Sequence, residues 1–164
     1  MLRLATTVSD IRSLAAVLLL GAGFLLHGCS GGGDSAQDQI RAFIEAGVEA
    51  AEARRSSDLG DMIHGGYLDQ KGYNKKQLGG LLRAYFFRHR NIHLFTKINE
   101  IELLGDKQAL VRLHVAMAGS VISDIDAISS LRARLYRFEL RLVREDEWLL
   151  QHASWQPASI VDLE

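Results

Sequence analysis

Cysteine occurs once in the 164 residues, and so does proline. One cysteine excludes a disulfide-rich chain, and one proline excludes a collagen-like or low-complexity one. Aromatic residues make up only 7%. An excess of charge of one sign is missing too. Nineteen Lys+Arg face 20 Asp+Glu, for a formal net charge of −1. That balance excludes a strongly basic nucleic-acid binder. Long apolar runs are scarce: the uncharged stretch Leu14–Leu26 is the exception. What is present, 48% hydrophobic and 24% charged residues, fits one ordinary globular domain with an apolar appendage.

The appendage comes first. Arg3, Asp10 and Arg12 precede Leu14–Leu26. As a helix that run rises about 20 Å, against a hydrocarbon core of about 30 Å. It is short for a permanent span and suits the core of a signal peptide.

The residues that follow, Leu26-His27-Gly28-Cys29-Ser30, resemble a bacterial lipobox: an apolar residue at −3 and a small one at −1 before cysteine. His27 departs from the small or apolar residue usual at −2. The resemblance implies cleavage before Cys29, a diacylglycerol on its thiol and a further acyl chain on its amine. Each buried acyl CH₂ contributes about 0.8 kcal/mol, so several chains anchor a domain firmly. Ser30 stands where aspartate would resemble an inner-membrane retention signal, so the resemblance implies the outer membrane with the domain facing the periplasm. The partner implied is the membrane itself, through lipid on Cys29. Removing residues 1–28 takes two arginines and one aspartate and leaves a net charge of −2.

Ser30-Gly-Gly-Gly-Asp-Ser35 reads as a flexible tether, since nothing in it is apolar enough to offset the entropy lost on ordering glycine. Its random-coil reach is on the order of 13 Å. Residues 36–158 are expected to form one domain, and 159–164 a tail. Within the domain a first helix is predicted over Ala36–Arg55. Asp34 or Ser35 caps it, and Ile40, Phe43, Ile44, Gly47, Val48 and Ala51 form one stripe. A short second helix is predicted over Asp58–His64. Tyr67–Lys71 reads as extended, and Gly72-Tyr73-Asn74 as a turn. Asn74 caps a third helix reaching about His89, in which Gly79-Gly80 would allow close packing against a neighbour.

From Asn91 the period becomes two. Strands are predicted over 92–104, 108–118, 132–144 and 148–156. Gly105-Asp106-Lys107 and Glu145-Asp146-Glu147 are the turns. A polar connection fills 119–130, with a helical turn near 124–129.

Helices followed by long antiparallel strands form an α+β order. The expected architecture is a cone-shaped, curved antiparallel sheet packed against three N-terminal helices. This order resembles the nuclear transport factor 2-like superfamily, which includes SnoaL-type cyclases and ketosteroid isomerases. The resemblance covers nearly all of the mature chain. It rests on the helical first half, on Tyr67-Leu68-Asp69 as a short early strand, on the long hairpins and on the ending Trp148-Leu-Leu-Gln-His152-Ala-Ser-Trp155. Such folds serve isomerases, cyclases, dehydratases, ligand binders and dimerisation modules, so the fold alone assigns no function.

A ketosteroid isomerase pairs a carboxylate base with a tyrosine on the first helix. Here that helix's inward stripe has no hydroxyl donor. Asp69 matches the base position but lies in a polar stretch, where a solvated turn carboxylate is the plainer reading. His89, His93, His114 and His152 lack the convergence a zinc site requires, although His114 and His152 could be neighbours. No cofactor or metal is implied. Residues placed to line a pocket at the cone mouth are Tyr67, Tyr136, His152 and Trp155. Tyr85, Phe86 and Phe87 are consecutive, so one must leave the core. Arg88-His89-Arg90 could meet acidic headgroups or a partner, or serve only the helix C-terminus.

The expectation is therefore a membrane-anchored, non-catalytic module. It would bind an unknown periplasmic protein or a small apolar ligand, with a homodimer through the outer sheet face compatible with it and no nucleic-acid partner. The alternative is an isomerase- or cyclase-type enzyme using Asp69 as general base.

Overall fold

The computed structural model describes residues 35–120 and 134–163. The expected leader, Cys29, the tether to residue 34 and most of the polar connection lie outside the described residues. Among the described residues no helix is long and apolar enough to cross a membrane.

Helix α1 spans Ala36–Glu52. The Ser35 hydroxyl accepts from the Asp38 amide at 3.1 Å, and the Asp38 carboxylate reaches back to Ser35, completing a capping box. The helix ends before the expected Arg55. Arg54 takes a left-handed φ of 57°, and its neighbour Arg55 turns out to bridge Glu49 at 2.9 Å and Asp58 at 2.6 Å.

Helix α2 covers Ser56–Asp61, earlier than predicted. It stops because the chain leaves to join the sheet: Ile63 bridges Leu150 and the His64 amide donates to the Leu150 carbonyl. Helix α3, Lys75–Arg88, opens on a second capping box of Asn74 and Gln77. Gly79-Gly80 has no closely packed neighbouring element. A Cβ on Gly80 would meet nothing within 4 Å, and one on Gly79 only the Arg83 guanidinium at 3.5 Å.

Four antiparallel strands follow in the order β1 (His93–Leu103), β2 (Gln108–Ala118), β3 (Arg134–Arg144) and β4 (Trp148–Pro157). Their alternation sorts the two faces. Ile98, Leu113, Phe138 and Trp155 are register partners on the helix side, whereas Lys97, His114, Arg137 and Gln156 form the neighbouring row outside. Two irregularities shift the phase, one at Asn99 and one at Gln151. The second reverses the phase that strict alternation from Trp148 would give the end of β4. Trp148 and Trp155 share the inner face, and His152 lies outside.

The segment Met62–Gln70 covers the free edge of β4. The Leu68 amide donates to the Gln151 carbonyl and the Gln70 amide to that of Ala153. The main core joins Ile40 and Ile44 of α1 to Ala109, Val111, Leu113, Leu142 and Trp148. A second cluster lies on the outer face. Residues 159–164, expected as a tail, include a 3-10 helix, Ile160–Leu163, whose Leu163 packs against Ala116 and Leu135.

Candidate functional site

The helices and the sheet do not close completely on one another. Between them lies a cavity of about 280 Å³. Phe43, Ile44 and Val48 of α1 line one side, with Leu78 and Leu82 of α3 beside them. The floor is Leu94, Thr96, Leu113, Val115, Phe138 and Leu140 from the inner face of β1 to β3. The space has a local cause. Gly47 and Ala51 stand on the inward stripe of α1 where larger residues would fill it, and both line the cavity.

Thr96 brings the one side-chain hydroxyl among the described lining residues, none of which carries a carboxylate, imidazole, phenol or amine. Such a surface holds an apolar molecule by contact area and shape. It offers nothing to move a proton.

Asp69 does not line this cavity. It is 4% exposed, and its Oδ1 accepts from the amides of Lys71 at 2.8 Å and Tyr73 at 2.9 Å. Those bonds close the turn whose Gly72 needs a φ of 82°. The other oxygen, Oδ2, is buried with no hydrogen-bond partner. Tyr67 is also buried, packed with Ile63 and Ala153. Burial first, and the charge of Asp69 second, push its phenol well above the ordinary tyrosine range.

Of the four residues expected at the cone mouth, Tyr67 and Trp155 pack in one satellite cluster, while His152 lies on the outer side of the sheet. Tyr67 lies in the satellite core, Tyr136 sits beside Phe138 at 6.4 Å between centroids, and the His152 ring faces the Leu68 carbonyl on the outer side. Trp155 stacks on Phe138 at 6.1 Å and has Lys71 over its ring. It borders a separate polar groove of about 470 Å³ with Gln70, Arg112 and Arg137. His114 and His152 are not neighbours, because β3 runs between their strands. The His114 Nδ1 pairs with Asn99 Oδ1 at 2.8 Å, and its buried Nε2 has no partner. Burial holds the His114 imidazole below its ordinary range, opposed by Asp162 and reinforced by Arg137 and Lys97. The residues that do form the cavity read in sequence as plain core. The one signal for an opening was the pair of small residues, Gly47 and Ala51, on an otherwise bulky stripe.

No protein-family model matches the chain, and no curated protein sequence does. Solved structures do. A scytalone dehydratase-like protein from Novosphingobium aromaticivorans superposes with a TM-score of 0.63 at 11% identity, over 75% of this chain and 84% of that one. A Bdellovibrio bacteriovorus protein gives 0.61 at 11% identity over 76% of this chain, which spans only 44% of that structure. A nuclear transport factor 2-like protein of unknown function from Shewanella oneidensis gives 0.54 at 16% identity, over 73% of this chain and 97% of that one. At such identities the likeness is one of backbone, and it agrees with the element order and the sheet. The described domain therefore has the nuclear transport factor 2-like α+β fold, helices laid into a curled antiparallel sheet.

Proposed function

We propose that this protein is an envelope lipoprotein whose domain binds a small apolar molecule between helices and sheet without transforming it. The observation that carries this reading is the lining of the 280 Å³ cavity, apolar apart from Thr96 and lacking any proton-transferring side chain among the described residues. The volume is at the small end for ligand sites, which suits a compact ligand. The anchoring part rests on Leu26-His27-Gly28-Cys29 after an uncharged run too short to span. It puts lipid on Cys29 and the domain on the periplasmic side, with the outer membrane favoured by Ser30.

Intact-mass measurement on protein from its own cells tests the anchor. Cleavage before Cys29 with acyl chains attached is expected, and a retained Met1 with a bare thiol would overturn it. For the cavity, the material is extracted with organic solvent and the released apolar species identified. Gly47→Leu is the matching variant. The new Cβ has room, its nearest neighbour being Met62 Cε at 3.4 Å, and the rest of the side chain projects from the lined face. Loss of the bound species in a folded G47L protein is expected, and unchanged occupancy would remove the cavity from the function.

A second reading keeps Asp69 as a general base in an isomerase- or cyclase-type reaction. The buried, unpartnered Oδ2 and the scytalone dehydratase-like neighbour favour it. It requires substrate to reach Asp69 from outside the apolar cavity. Turnover of a carbonyl substrate that disappears in Asp69→Asn would establish it over the binding reading.

A further inference from the structure

The C-terminal ends of α1 and α3 lie together and enclose an open groove of about 520 Å³, lined by Arg54, Ser56, Arg83, Phe86, Phe87 and Arg90. Among the described residues no acidic side chain pairs with Arg54, Arg83, Arg88 or Arg90. The acidic groups nearby in the chain are committed elsewhere. Glu49 and Asp58 are held by Arg55, and Glu52 accepts from the Leu94 amide at 2.7 Å.

Phe87 stands in this basic setting with 89% of its surface exposed, while Phe86 beside it is buried and Tyr85 reaches Met117. Arg83 and Phe87, four residues apart, share one helix face. Arg54 occupies the left-handed position after α1 where glycine would fit freely. An arginine stands there despite a backbone cost.

We propose that this surface docks onto the anionic headgroups of the membrane, with the arginines on lipid phosphates and Phe87 in the interfacial layer. Arginine binds phosphate in a bidentate fork, and an aromatic ring at its side suits the boundary between headgroup and acyl chain. The choice of a membrane over an acidic protein comes from the chain before the domain. Five residues separate Cys29 from Ser35, six Cα–Cα steps that span at most about 20 Å. The groove lies at the far end of α1, about 25 Å along its axis. An anchored domain can thus reach the bilayer at both ends of α1 by lying with that helix along the surface. The anchor raises the local concentration, so a weak patch suffices. The choice of a membrane as the occupant rests on the anchored reading; the basic and aromatic surface itself does not.

Hydrogen exchange on the full chain, reconstituted into vesicles of equal parts phosphatidylethanolamine and phosphatidylglycerol, tests this directly. Residues 83–92 and 53–57 are expected to become protected relative to pure phosphatidylcholine vesicles, and the protection to fade with added salt. Each surface arginine contributes about fivefold in partitioning, so R83Q/R88Q/R90Q should weaken docking on the order of a hundredfold and abolish the protection. F87S should reduce it separately. Unchanged exchange in β2 shows that the variants are folded, and the salt series in the parent stands without them. Equal protection on phosphatidylcholine would overturn the proposal. So would protection by soluble polyglutamate but not by vesicles, which would assign the surface to an acidic protein. Protection without any vesicle, removed by the same variants, would assign it to a second copy of the chain. A bare Cys29 by mass with protection retained would sink the anchor and leave the docking surface standing.

Discussion

Asp69 has one carboxylate oxygen bonded to two amides and the other bonded to nothing. Removing the first costs more than a surface side chain usually does, since two turn amides lose their acceptor. Asp69→Ala should lower stability by about 1–3 kcal/mol in urea unfolding. Asp69→Asn, which keeps one acceptor, should lower it less. His114 makes stability depend on pH. Its imidazole is held neutral by burial, and the unfolded chain titrates near 6.5. Below that value the unfolded state takes up a proton that the folded state refuses, so stability falls as pH drops from 6.5 toward the lowered folded pKa. A melting series from pH 8 to pH 5 should show this loss, and His114→Gln should flatten it.

At the scale of elements, the two glycines of α3 carry a simple expectation. Gly80 has open space where a Cβ would go and no positive φ. Gly80→Ala should therefore raise stability by about 0.5–1 kcal/mol in thermal or urea unfolding. Reading Gly79-Gly80 as a packing notch assumed that adjacent glycines imply a close helix. What cannot be seen in sequence is whether a partner stands opposite. Capping was more legible. Ser35/Asp38 and Asn74/Gln77 each present the acceptor and the return acceptor at fixed spacing, and both boxes form. Strand phase was legible only up to the first bulge. Tyr136, Phe138, Leu140 and Leu142 alternate without a break, but the extra residue at Gln151 puts His152 and Trp155 on the sides opposite to those that strict alternation from Trp148 would give.

At the scale of the whole molecule, the helix-then-strand order was enough to reach the α+β sheet architecture, because a twisted sheet with one apolar face has only the helical stripes to cover it. The site was far less legible. A cavity is a deficit of volume between elements, and Tyr136 or Trp155 can lie on the correct face yet at the wrong depth along it. The outer face shows the same limit. Arg112 reaches Glu100, Glu102 and Glu139 on its two neighbouring strands. This network and the 3-10 helix occupy the surface proposed from sequence for a homodimer. If that surface pairs two copies, sedimentation velocity should show a dimer that Arg112→Ala perturbs. A clean monomer at micromolar concentration would dismiss the pairing.

The covering of β4 by Met62–Gln70 has a bearing on how copies of this protein meet at high concentration. One flank of the sheet is bonded along much of β4 by the Met62–Gln70 segment, and among the described residues no strand pairs with the outer side of β1. Growth by strand addition can then happen once, back to back, and stops there. Accidental encounters between copies then yield pairs that can separate rather than fibrils that cannot.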